Sequence, residues 1–98
     1  MFGFRGPSRP TPLDELKEHL SLPSLKESEG EVRGFYEGRN PFEHLKEEWP
    51  NAYGQYVIGF ATALRNCRKE GIVDWKRQEV IASMTGIGMA RASFGKAA

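Results

Sequence analysis

Cysteine is almost missing from this chain: Cys67 stands alone among 98 residues. No intramolecular disulfide can form and nothing suggests an oxidising compartment, so cytoplasmic placement is the expectation. Histidine is nearly as scarce, with only His19 and His44. Neither they nor Cys67 pair at a ligand spacing such as His at i, i+4 or Cys-x-x-Cys, so no metal site is expected. Long apolar runs are missing too. Tyr56–Ala61 is the longest, far below the roughly 20 residues of a membrane span. Met1 to Arg9 lack the apolar stretch of a signal peptide. β-Branched residues are too sparse for strands. A net charge of +1 gives no bulk electrostatic argument for nucleic acid.

Catalytic patterns are equally thin. Cys67 falls on an apolar stripe and has no evident base, which suits a small buried hydrophobe better than a nucleophile. Glu47-Glu48 and the trio Glu27, Glu29 and Glu31 occur in polar contexts that solvated helix faces explain without acid–base chemistry. Gly86-Ile87-Gly88 lacks the preceding strand and further glycine of a phosphate-cradling loop. The expectation is a binding protein, not an enzyme, with no cofactor.

What is present is a helical pattern in one domain, since a chain of this length makes one. Its hydrophobic fraction of 39%, with six Phe, three Tyr and two Trp, suffices for a modest core. Residues 1–11 combine Gly, Pro and Arg with Phe2 and Phe4 and show no period, so they read as an irregular arm that docks on the domain or on a partner. From Pro12, Thr11 supplies a cap and Leu13, Leu16 and Leu20 form one apolar stripe, closed by Pro23. A helix over residues 29–37 follows, with Gly38 as its C-terminal cap. Asn40-Pro41-Phe42-Glu43 predicts another helix start, with Asn as cap and a helix to Trp49, where Pro50 breaks it.

The longest helix is expected over residues 52–69, capped by Asn51 and stopped by Gly71. Tyr53, Tyr56, Val57, Phe60, Leu64 and Cys67 keep the helical period closely. Asp74 starts one more helix, 75–84, carrying Trp75, Val80, Ile81 and Met84, and a short loose helix over 88–94 ends the chain. The fold class is therefore all-α: four to five short helices around a central one, over residues 12–98.

Charge is uneven along the chain. Residues 1–64 hold seven Lys/Arg against ten Asp/Glu, and residues 65–98 hold seven against three. Arg65, Arg68, Lys69, Lys76 and Arg77 cluster around the end of one predicted helix and the start of the next. They are the candidate nucleic-acid contacts.

Two patterns bear on partners. Gly38-Arg39, Asn40-Pro41-Phe42 and Tyr56-Val57-Ile58-Gly59-Phe60 together resemble the ribosome modulation factor family. Members carry a short helix, an Asn-Pro-aromatic corner, and a second helix opening on aromatic and glycine residues. The resemblance covers residues 31–65. It departs from the family in its missing spacer before Asn40, its longer stretch from Phe42 to Tyr56, and its near-neutral charge. It implies binding of the small ribosomal subunit and silencing of ribosomes by pairing them. The second pattern, Gln78 to Ile87, looks like the first helix and turn of a helix-turn-helix, with Arg91 and Ser93 facing bases from the next helix. A protein-binding adaptor or inhibitor from a mobile element is the third reading. Leftover apolar surface on so small a domain also suggests a homodimer.

Overall fold

The structure, a computed structural model, describes residues 22–97. The arm at 1–11 and the predicted helix from Pro12 lie outside these residues. Three α-helices and one 3-10 turn make up the described part: α1 Leu25–Phe35, the turn Glu43–Leu45, α2 Pro50–Lys69 and α3 Trp75–Ala97. No strand occurs among the described residues. Both α1 and α3 pack on α2, which is the hub.

α1 begins four residues earlier than the expected 29. Ser24 and Glu27 form a reciprocal capping box, the Ser24 Oγ accepting from the Glu27 N–H at 3.1 Å and the Glu27 carboxylate accepting from the Ser24 N–H at 3.0 Å. Two backbone donors are thereby satisfied, offsetting the cost of Gly30 and Gly34. At its other end the left-handed residue next to the cap is Glu37, at φ 58°, with Gly38 following at φ 98°. The Gly38 N–H reaches back to the Arg33 carbonyl at 2.6 Å, the six-to-one bond of a Schellman ending.

The helix expected over 40–49 is not formed; a 3-10 turn over Glu43–Leu45 stands in its place. Of that stretch only Phe42 and Leu45 pack against the core cluster. Glu47 and Glu48 would also meet the negative end of any helix dipole. Asn40 does not cap a helix. Its Oδ1 accepts from the Phe42 N–H at 3.1 Å and its Nδ2 donates to the Tyr53 hydroxyl at 2.8 Å, so it pins the corner to α2.

α2 starts at Pro50 with Trp49 as its capping position, not at residue 52 after an Asn51 cap. Proline tolerates the first helical position because its missing N–H has no partner there. Gly71, at φ 74°, ends the helix, and the Ile72 N–H bonds the Cys67 carbonyl at 2.9 Å. Tyr53, Val57, Phe60, Leu64 and Cys67 are all at most 2% exposed, as the stripe predicts. Around Phe60 gather Phe35, Tyr36, Phe42 and Tyr56, with ring centroids 5.5–6.0 Å from it.

The largest difference is α3, which runs unbroken from Trp75 to Ala97. The predicted break between residues 84 and 88 is absent because Gly86 is a packing residue. A Cβ at Gly86 would lie 2.7 Å from the Tyr56 carbonyl oxygen, and one at Gly59 would lie 3.0 Å from the Gly86 Cα. Two facing glycines let the backbones of α2 and α3 nearly touch, and the packing gained outweighs the weak helix propensity of glycine. Gly59 thus serves the crossing with α3.

Candidate functional site

The basic cluster separates into two groups. Arg65 Nε lies 3.4 Å and Arg68 Nη2 3.1 Å from the same Glu31 carboxylate oxygen on α1. These two arginines serve to tie α1 to α2. Lys69, Lys76 and Arg77 are exposed and make no ion pair with another described residue. Arg91 is exposed as well, on the last part of α3.

The motif residues divide in the same way. Gly38, Arg39, Asn40 and Pro41 line an open depression with Arg33, Tyr36 and Glu43. Phe42, Tyr56 and Phe60 belong to the aromatic cluster, with Phe42 and Tyr56 packed edge-on at 4.7 Å. Gly59 lies at the α2–α3 crossing. Phe42, Tyr56, Gly59 and Phe60 thus have packing roles, whereas Gly38, Arg39 and Pro41 are exposed.

A buried polar network holds the corner against α2. The Tyr53 hydroxyl donates to Glu29 at 2.5 Å and accepts from Asn40. Lys46 Nζ approaches the same Glu29 oxygen at 3.1 Å. The hydrogen bond from Tyr53, then the nearby Lys46, hold the Glu29 carboxyl below its ordinary value against the opposing effect of burial. Burial, then the Glu29 bond, push the Tyr53 phenol up to about 12. Tyr36 is likewise raised, first by burial and then by its hydroxyl's bond to Glu79 at 2.8 Å. Every member has a partner, so the network is structural.

The helix-turn-helix geometry is not formed, because residues 78–94 lie on one continuous helix. A recognition helix needs a turn to set it across its support, and here Arg91 stays in line with Lys76 and Arg77.

What α3 offers is an outward face. Ala82 and Gly86 are buried toward α2. Half a turn away, Val80, Met84 and Ile87 are 57%, 68% and 48% exposed. Their spacing of i, i+4 and i+7 puts them in one row, and Lys76 and Arg91 extend that row at both ends. From Lys76 to Arg91 the face is about 22 Å long at 1.5 Å per residue. Glu79 is the one acidic residue of α3, and it turns aside to Tyr36. Sequence reasoning placed Val80 and Met84 on the 75–84 helix and Ile87 in the turn of the Gln78–Ile87 pattern, without joining the three in one row. The sign that distinguishes them is the continuation of their row into cations on both sides.

Among the described residues no three His, Cys, Asp or Glu side chains group as a metal site, and no helix is long and apolar enough to cross a membrane. No protein-family model matches the chain, and no curated protein or solved structure matches it.

Proposed function

We propose that this is a non-catalytic protein-binding module. Its α3 receives an amphipathic partner segment that carries an apolar stripe flanked by Asp or Glu. The observation that carries this reading is the row of Val80, Met84 and Ile87, exposed on a helix already buried on its other side and bracketed by Lys76, Arg77 and Arg91. A helix apolar on both faces calls for cover on both. The cations select against basic partners and orient acidic ones.

The same charges disfavour self-pairing. Antiparallel copies of α3 would set Lys76 and Arg77 against Arg91, and parallel copies would set each cation against itself. RNA binding through the basic cluster has less support, because phosphate would have to displace Glu31 from Arg65 and Arg68. Bare Val, Met and Ile side chains also offer nothing to a phosphate backbone.

The test uses a helical peptide with leucines in one row and flanking glutamates, beside a version with flanking lysines. The glutamate peptide should bind roughly tenfold tighter or better. The double substitution Val80→Asp, Met84→Asp should abolish its binding, and Arg65→Gln, Arg68→Gln should leave it within about twofold. Binding that instead follows Arg65 and Arg68, or co-sedimentation with ribosomes that survives the α3 substitutions, would replace this reading with the RNA one.

A further inference from the structure

The outward row of α3 carries a sulfur atom at its centre. Met84 is 68% exposed, with Val80 one turn before it and Ile87 one turn after it. The other sulfur atoms among the described residues are covered. Cys67 is 2% exposed on the core side of α2. Met89 is partly buried on the side of α3 that meets α2. Its sulfur would lie 2.8 Å from a Cβ added at Gly59, so it fills the space that the glycine leaves. Five positions carry a helix about 140° round its axis, which is why two methionines so near in sequence have opposite surroundings.

We infer that Met84 is an oxidation site that switches the outward face of α3 off, an inference that rests on the docking reading above. The oxidant is hydrogen peroxide. A lone pair of the Met84 thioether attacks one peroxide oxygen, an S–O bond forms and the O–O bond breaks. The proton of the transferred oxygen goes to the departing hydroxide, which leaves as water. Sulfur is oxidised to the sulfoxide and peroxide is reduced. A dithiol reverses the step, giving a disulfide and carrying the oxygen off as water.

The product matters because of its place in the row. A thioether is flexible and apolar and moulds itself to an apolar partner. A sulfoxide is polar and a good hydrogen-bond acceptor. In the free protein it points into water, which satisfies it at no cost to the fold. Beneath the apolar stripe of a docked helix it meets no donor, and a buried acceptor without a partner penalises the docked state alone. The same geometry works in reverse: a docked partner covers the sulfur and slows its oxidation.

The test treats the full chain with hydrogen peroxide and maps the oxidised residues by mass spectrometry of proteolytic peptides. Affinity for the leucine peptide with flanking glutamates is measured before and after. Met84 should oxidise at least about fivefold faster than Met89. Its sulfoxide should weaken peptide binding at least about tenfold, with circular dichroism at 222 nm unchanged. Methionine sulfoxide reductase with dithiothreitol should restore the affinity. Met84→Leu, a swap of similar volume, should bind within about threefold of the parent and ignore peroxide. Equal oxidation of Met84 and Met89, undiminished binding by the Met84 sulfoxide, or loss of binding by peroxide-treated Met84→Leu would each overturn the inference. Failure of the peptide to bind untreated protein would overturn the docking face and the switch together, whereas binding that survives oxidation of Met84 overturns the switch alone.

Discussion

The close crossing of α2 and α3 makes opposite predictions for two glycines two residues apart. At Gly86 an added Cβ would sit 2.7 Å from the Tyr56 carbonyl oxygen and 3.0–3.1 Å from carbons of its ring. The oxygen belongs to backbone, so the helices must separate. Overpacking of that kind costs about 1–3 kcal/mol, and the better helix propensity of alanine returns up to about 1 kcal/mol. Gly86→Ala should therefore destabilise by about 1–2 kcal/mol. At Gly88 nothing lies within 4 Å of the added Cβ, and the same propensity gain stands unopposed. Gly88→Ala should stabilise by about 0.5–1 kcal/mol. Urea unfolding followed by circular dichroism at 222 nm reads both, and with a slope near 1 kcal/mol/M the two midpoints should differ by about 2 M. Equal stabilisation by both alanines would refute the contact, and equal destabilisation would show that the helix breaks near Gly86 after all.

Three further outcomes follow from the polar network and the ion pairs. Tyr53→Phe removes the donor to buried Glu29 and the acceptor for Asn40, and should cost about 1.5–3 kcal/mol in the same unfolding assay. Glu29 is held below its ordinary 4.5, so its contribution is present above that value and lost as pH falls through the lowered one; Tyr53→Phe should flatten the acid limb of a melting-temperature profile against pH. Tyr53 is raised from 10.0 to about 12, so the folded state keeps a proton that the unfolded chain releases, and stability should fall between those two values as pH rises. By contrast, Glu31→Gln breaks two partly exposed ion pairs and should change stability by no more than about 1 kcal/mol.

The hub helix was legible because every residue of its stripe, from Tyr53 to Cys67, obeys one period and meets one core. Its end was legible because Gly71 supplies a backbone conformation that other residues adopt at a cost. α1 was legible only in part: residues 29–37 were expected to be helical, but the Ser24–Glu27 box, which starts the helix four residues earlier, was not read. Asn40-Pro41 misled because the same two residues begin a helix or pin a corner, and Tyr53, thirteen positions away, decides which. The ion pairs of the basic cluster were hidden for the same reason. Arg65 and Arg68 are near Lys69 in sequence, but Glu31 comes to them only through the crossing of α1 and α2. Pairings between distant residues leave no local trace.

The case of α3 joins the misread fold to the proposed site. A helix that buries one side yields a clear stripe, and α2 does so. α3 has Ala82, Gly86 and Met89 toward α2 and Val80, Met84 and Ile87 toward solvent, so apolar residues surround its axis and no single face stands out. With no single stripe to carry it past Gly86 and Gly88, the helix was read as ending at residue 84. The same spread of apolar residues is also the feature on which the proposed binding reading rests. If Val80, Met84 and Ile87 had only to remain in water, polar side chains of equal helix propensity would serve as well and would keep the protein more soluble. An uninterrupted helix also holds these three and the cations beyond them in a fixed register, which a hinge at Gly86 would scramble. The glycine contact with Tyr56 thus reaches the binding reading through geometry: what keeps α3 whole keeps its outer row straight.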